Sequence, residues 1–213
     1  MKEFEKLLLE NKAWAEQKIA SDPRYFERLA RGQEPKFLWI GSSDSRVPPL
    51  ELTGAEPGDM IVHRNIANLV IHTDLNLMSV VQYAVEALKV EHVIVCGEYG
   101  CEGIKSALSQ SNLGLLNKWL RHIKDIYRNH SDELLPIKDD PDKLLQRMVE
   151  INVQEQVTNL AHTSIIQRSW KQRRAPILHG WVYGLEDGRL RSLVNRGPDE
   201  PVDPIYAYGP EEL

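Results

Sequence analysis

Apolar residues set a helical period from the start of the chain. Phe4, Leu7, Leu8, Trp14 and Ile19 fall at roughly helical spacing, and Ser21-Asp22-Pro23 is a start signal for a second short helix. The pattern then changes. Phe37-Leu38-Trp39-Ile40, closed by Gly41, is a short apolar block of the kind that forms a buried strand. Met60 to His63, His92 to Cys96 and Ile177 to Tyr183 predict three more strands, the last followed by a hairpin through Glu186-Asp187-Gly188. Helical patterns cover about Asn76 to Leu88, Leu115 to Asn129 and Pro141 to Arg168.

Strands alternating with helices predict an α/β fold, with a central mostly parallel sheet flanked by helices and joined by right-handed crossovers. Such sheets place their sites beyond the carboxyl ends of the strands. The segment Ser42 to Arg46 and the segment Glu98 to Cys101 follow two strands, so they contend for one pocket.

Composition narrows the function. The 213 residues, 42% of them hydrophobic, suit a single domain with a substantial core. A net charge of −5 argues against a nucleic-acid partner, which requires a basic surface. The first twenty residues are too charged for a signal peptide, and no apolar run approaches the roughly 20 residues that span a bilayer. No membrane partner and a cytoplasmic location are therefore expected. Cys96 and Cys101 are the only cysteines, and their spacing is neither a disulfide framework nor a C-x-x-C redox pair.

Three blocks carry the chemistry. Gly41-Ser42-Ser43-Asp44-Ser45-Arg46-Val47-Pro48, His63-Arg64-Asn65-Ile66-Ala67-Asn68 and Cys96-Gly97-Glu98-Tyr99-Gly100-Cys101 resemble, in order and spacing, the C-S-D-S-R-V-P, H-R-N-x-x-N and G-H-x-x-C-G blocks of β-carbonic anhydrases. The resemblance covers roughly residues 1 to 190. It implies zinc held by the Cys of the first block and the His and Cys of the third, with an Asp and Arg dyad controlling access. Carried over by position, the ligands become Ser42, Glu98 and Cys101, and the dyad Asp44 and Arg46. Only Cys101 keeps the family's ligand type, and it is followed by Glu102 where the family has glycine. The chain also resembles the bacterial subgroup with a non-catalytic bicarbonate pocket, whose elements match Trp39, Gly41, Val47, Arg64 and Tyr183. A homodimer or homotetramer, with an N-terminal helical arm over residues 1–34, is a further implication of the resemblance.

A serine hydroxyl stays protonated near neutral pH and replaces a thiolate poorly, whereas a carboxylate does bind zinc. The expectation is a dismantled zinc site with no cofactor. With no metal and Cys101 a thiol, Asp44, Arg46 and Glu98 leave one negative charge. Burial then predicts a raised Glu98 pKa, a pairing of Glu98 with Arg46, or a cation in the site. Three functions follow. The first is a metal-independent lyase or hydrolase acting on CO2, bicarbonate or a similar small planar molecule. In it Asp44, Arg46, Glu98 and Cys101 are the working groups, with Cys101 a nucleophile favoured by a helix N-terminus. The second is a non-catalytic bicarbonate-binding protein. The third is residual carbonic anhydrase activity through an improvised metal set of Asp44, Glu98 and Cys101.

Bland readings apply elsewhere. Cys96 belongs to an apolar strand and reads as core. His63 reads as a hydrogen-bonded structural residue, and the other histidines show no ligand spacing. Lys171-Gln172-Arg173-Arg174 reads as the solvated, basic end of a helix. The acidic, Pro-rich stretch 195–213 departs from the family pattern.

Overall fold

The structure is a computed structural model that describes residues 2–209, 211 and 212. It divides into two compact units, Met1–Glu34 and Pro35–Leu213. In the first unit, α1 (Glu3–Ser21) is followed by α2 (Tyr25–Ala30). Trp14 meets Phe26 edge-on at 5.6 Å between ring centroids, and Tyr25 meets Phe26 at 5.0 Å. Phe4, Leu7, Leu8 and Leu9 of α1 are exposed.

The second unit is built on five strands: β1 (Phe37–Ser42), β2 (Met60–Asn65), β3 (His92–Glu98), β4 (Ile177–Tyr183) and β5 (Leu190–Arg196). Their order is β2-β1-β3-β4-β5, with the first four parallel and β5 antiparallel to β4. Both faces of the central strands are covered, which explains their continuous apolar runs. Leu38, Ile40, Val93, Val95 and Leu178 pack in one core cluster, whereas Trp39, Ile94, Cys96 and Tyr183 pack in another. No helix among the described residues is long and apolar enough to cross a membrane.

The helices are α3 (Pro49–Thr53), α4 (Leu75–Gln82), α5 (Glu102–Leu108), α6 (Leu116–Asn129), α7 (Ser131–Leu134), α8 (Pro141–Ala161) and α9 (Ser164–Arg173). Two depart from the sequence expectation. The helix expected over Asn76 to Leu88 is α-helical only to Gln82 and π-helical over Tyr83–Ala87. Its end is held by the Arg173 guanidinium, which donates to the carbonyls of Val85, Lys89 and Val90 at 3.2, 3.3 and 2.8 Å. Arg173 is thus a structural clamp rather than part of a solvated basic end, and Arg174 pairs with Asp199. The long helix expected from Pro141 to Arg168 is two helices. Thr163 interrupts it because its hydroxyl accepts the Ile166 N–H at 3.3 Å and starts α9 as an N-cap.

Strand β3 runs two residues beyond the apolar block, since Gly97 and Glu98 still pair with Val182 and Tyr183. Asn195 and Arg196 belong to β5, so the divergent tail begins after them. It returns onto α9, where Gln167 donates to the Tyr206 carbonyl and accepts the Tyr208 N–H, both at 3.0 Å. Tyr206 also stacks on His162 at 4.0 Å.

Candidate active site

Adjacent parallel strands bring the first and third blocks together. Gly41 of β1 pairs with Cys96 of β3, so Ser42 and Glu98, the last residues of their strands, emerge at the same carboxyl edge. The chain then turns through Gly100, whose φ of 75° suits glycine, and sets Cys101 immediately before α5. Ser42, Glu98 and Cys101 are 4%, 1% and 2% exposed.

Glu98 is the unusual group. Both carboxylate oxygens are buried and neither has a hydrogen-bond partner. Burial pushes its pKa up. Cys101 and Ser42 beside it act in the opposite direction without reaching hydrogen-bond geometry, while the charge of Asp44 adds to the rise and that of Arg46 opposes it. The raised pKa expected from charge counting is thus present, and the expected capture of Arg46 is not. Arg46 belongs to Asp44, with Nε donating to Oδ1 at 2.9 Å and Nη2 to Oδ2 at 2.6 Å.

The loop holding that pair is braced from two sides. Ser42 Oγ accepts the Asp44 N–H at 3.1 Å, and Asp44 Oδ1 accepts the Arg46 N–H at 2.9 Å. Arg64, at the end of β2, donates from Nε to the Ser42 carbonyl at 2.7 Å and from Nη2 to the Asp44 carbonyl. The Arg46 guanidinium holds the Asp44 carboxyl below the usual carboxylate range, so Asp44 is an anion at neutral pH.

Cys101 does not gain the thiolate character expected at a helix N-terminus. Its burial and the neighbouring Glu98 push the thiol well up, and the N–H groups of Ile104 and Gly103 at the start of α5 only partly oppose this. The opposing carboxylate is Glu98, whereas Glu102 pairs with Lys105 on the surface. In this state Cys101 is a thiol.

As a cation site, the pocket offers a short but chemically coherent donor set. Among the described residues no three His, Cys, Asp and Glu side chains gather as a metal cage. Glu98 and Cys101 nevertheless converge, with the Ser42 hydroxyl as their third neighbour. Carboxylate and thiolate are both zinc donors, and a divalent cation would satisfy two carboxylate oxygens that nothing else satisfies. The residues fit such an ion through Glu98 and Cys101.

The residues expected to form a bicarbonate pocket are partly brought together. Trp39, Val47 and Tyr183 share one cluster, and a Cβ at Gly41 would lie 2.2 Å from Trp39 Nε1, so only glycine fits beneath the indole. Trp39 Nε1 is buried without a partner. Arg64, expected to line that pocket, commits Nε and one N–H of Nη2 to the Ser42 and Asp44 carbonyls.

Other polar features are not apparent from motif reading. Asn152, Gln156 and Asn159 of α8 form a ladder that pins the segment after β2 through Ala67 O, Val70 N and Val70 O. Their spacing by about one helical turn is the signal for it. Asn68 lies fully buried beside Gly97 with neither side-chain atom partnered. His92 Nδ1 and His179 Nε2 meet at 3.0 Å across β3 and β4, although nothing in their sequence spacing links them. His63 is buried, with Asn65 Nδ2 at 3.4 Å from its Nε2, and Cys96 is in the core.

The chain also matches known proteins in sequence and fold. The family described as carbonic anhydrase matches residues 37–190. A carbonic anhydrase of Emericella nidulans is 48% identical over 189 residues, covering 89% of this chain and 82% of that one. The β-carbonic anhydrase CafA of Aspergillus fumigatus is 36% identical, with a TM-score of 0.86 over 94% of this chain and 93% of its own. A tetrameric β-carbonic anhydrase of Sordaria macrospora is 38% identical, with the same TM-score of 0.86 over 91% and 98%. These three relatives are fungal, and they support the family rather than a bacterial subgroup.

They also correct the expectation of a protein without cofactor. Zinc is the cofactor of the β-carbonic anhydrases that this chain matches in sequence and fold. By sequence match, fold and the arrangement of its three blocks, the chain belongs to the β-carbonic anhydrase family.

Proposed function

We propose that this protein interconverts CO2 and bicarbonate at the pocket between Ser42, Asp44, Arg46, Glu98 and Cys101, with an altered set of residues at the metal-ligand positions. The observation that carries the reading is the pair of unpartnered, buried oxygens of Glu98 beside Cys101. Glu98 and Cys101 would hold the divalent cation, with Ser42 a neutral neighbour. A divalent cation at such a site supplies Lewis acidity, which brings the pKa of water toward neutrality.

The chain's own groups supply the rest. Asp44 is kept anionic by Arg46, and its carboxylate is a hydrogen-bond acceptor for a water or for the hydroxyl of bicarbonate. Arg46 fixes Asp44 in place and presents positive charge at the mouth, since its side chain is 54% exposed. Arg64 sets the backbone from which Asp44 projects. When no cation is present, burial raises the pKa of Glu98 and so shifts it toward the neutral form.

Oxygen-isotope exchange between labelled bicarbonate and water, followed by mass spectrometry, tests this reading. Exchange that rises with bound metal supports it, and exchange no faster than buffer in the metal-loaded protein refutes it. A second reading, bicarbonate held without turnover, is favoured by the unpartnered indole N–H of Trp39 beside Val47 and Tyr183. It keeps the bicarbonate pocket of the bacterial subgroup, and is supported if bicarbonate binds to a protein that shows no exchange. Assembly into several copies is the further expectation from the tetrameric Sordaria relatives, and sedimentation measures it.

A further inference from the structure

The segment after β2 bends through two consecutive residues in the left-handed region, Ala67 at φ 64° and Asn68 at φ 49°. Residues with a Cβ avoid that conformation, so it persists only where the surroundings impose it. Here the surroundings are polar and largely buried. Asn152 of α8, wholly buried, donates from Nδ2 to the Ala67 carbonyl at 3.0 Å, and its Oδ1 accepts from Gln156 Nε2 at 2.9 Å. Trp119 Nε1 holds the Ile66 carbonyl at 2.8 Å, and the Asn65 side chain bonds both the N–H and the carbonyl of Leu69 at 2.8 Å. Of these side chains, Asn152 is the one that reaches the carbonyl of a left-handed residue.

The bend is pressed against the helix that follows Cys101. A Cβ on Gly103 would lie 2.9 Å from Ile66 Cγ2 and 3.2 Å from Ala67 Cβ, so the bend and the first turn of α5 meet without slack. Ala67, Cys101 and Ile104 share one core cluster. A Cβ on Gly97 would lie 2.8 Å from Val153, 3.4 Å from Val149 and 3.5 Å from Asn68 Oδ1. Val149, Asn152 and Val153 share one face of α8 by their spacing. The residue before Glu98 and the first turn after Cys101 therefore both rest on structure that Asn152 joins. We propose that Asn152 is a positioning residue for the active site. By holding Ala67 in its left-handed conformation it seats the first turn of α5, and with it Cys101, beside Glu98. The consequence for turnover rests on the CO2 chemistry proposed above, whereas the seating of α5 does not.

The test compares the full-length wild type with Asn152→Ala, Ala67→Gly and the double variant, each shown to be folded by circular dichroism. Glycine takes the left-handed conformation freely, so at position 67 it removes the need for the clamp although the bond to the carbonyl is still lost. One readout is amide hydrogen exchange of Lys105 in the metal-stripped protein, where the Lys105 N–H bonds to the Cys101 carbonyl at 3.0 Å. The other is the kcat and KM of CO2 hydration. Asn152→Ala should speed Lys105 exchange at least about tenfold by loosening the first turn of α5. It should lower kcat at least about tenfold with KM within about twofold, as a displaced group does when the substrate still binds. In the Ala67→Gly background the same substitution should change either readout by no more than about threefold, because the two residues act through one contact. Arg173→Ala is the control for lost stability elsewhere in the fold, and should leave both readouts within about threefold of the wild type.

If Asn152→Ala leaves Lys105 exchange unchanged, or acts equally strongly in the Ala67→Gly background, the inference is overturned. It is overturned as well if the wild type hydrates CO2 and Asn152→Ala does so with an unchanged kcat. If the wild type hydrates no CO2, the proposed function fails, and Lys105 exchange in the four proteins decides the inference by itself. Should Asn152→Ala be unfolded, Asn152→Leu is the substitute, since it fills a similar volume without a donor. The same losses are expected of it, and a Leu variant that matches the wild type in Lys105 exchange would overturn the inference.

Discussion

Arg46 grips both oxygens of the Asp44 carboxylate, Nε on Oδ1 at 2.9 Å and Nη2 on Oδ2 at 2.6 Å, while Glu98 lies nearby with neither oxygen bonded. Two neighbouring carboxylates are therefore shifted in opposite directions, Asp44 down by pairing and Glu98 up by burial. Replacing Arg46 by Gln removes the fork that fixes Asp44. CO2 hydration is expected to fall by about 10²-fold, the usual cost of a misplaced group. The acidic limb of its pH profile should move to higher pH, because Asp44 then titrates closer to an ordinary carboxyl. An unmoved limb would show that Asp44 does not control it.

Glu98 gives the metal-free protein a pH-dependent stability of definite sign. Its folded pKa is raised above the unfolded value, so its contribution is complete below the ordinary carboxylate range and is lost as pH rises through the raised value. Thermal unfolding in the presence of a chelator should show stability falling over that window. Glu98→Gln should flatten the dependence, because an amide does not titrate and stays neutral at the alkaline end. An identical slope in the variant would place the effect elsewhere.

Gly41 has no room for a side chain beneath Trp39, where a Cβ would come within 2.2 Å of Nε1. Gly41→Ala should cost about 1–3 kcal/mol through overpacking. For a chain of this size the melting temperature then drops by about 2–4 °C per kcal/mol. Bicarbonate binding, measured by calorimetry, should weaken with it if the Trp39 pocket is occupied. Loss of stability with unchanged binding would separate the two roles.

Arg173 terminates the π-helical turn by donating to three backbone carbonyls. Arg173→Ala leaves them unsatisfied and should destabilise by about 1–3 kcal/mol in denaturant titration. Faster hydrogen exchange is expected at Leu88 and Val90, whose N–H groups bond to Tyr83 and Ala84. Unchanged exchange there would show that the turn does not need the clamp.

The alternation of apolar blocks is enough to read the α/β class and the neighbourhood of the site, because the parallel strands are apolar on both faces and their loops carry the motifs. Boundaries were less legible where a side chain decides them. Thr163 breaks a helix that continues in apolar pattern, and Glu98 looks like a loop residue although its backbone extends the ladder to Tyr183. The convergence of Ser42, Glu98 and Cys101 follows from strand order. The isolation of the Glu98 carboxylate does not, since it depends on Arg46 choosing Asp44. Likewise His92 and His179 are 87 residues apart and meet only because β3 and β4 are neighbours. The Cys101 thiol is pushed up first by its own burial and then by Glu98, which together outweigh the start of a short helix.

The most direct test of the proposed function is stopped-flow CO2 hydration by the purified protein, with metal content determined on the same samples, for wild type, Glu98→Gln and Cys101→Ser. The account predicts hydration by the metal-loaded wild type that falls at least about 100-fold in Glu98→Gln, the scale of losing a transition-state interaction, together with loss of the metal. Cys101→Ser should also lower hydration, with weaker zinc retention. Hydration that persists in Glu98→Gln, or that is absent from a wild-type protein carrying one metal ion per chain, would contradict it.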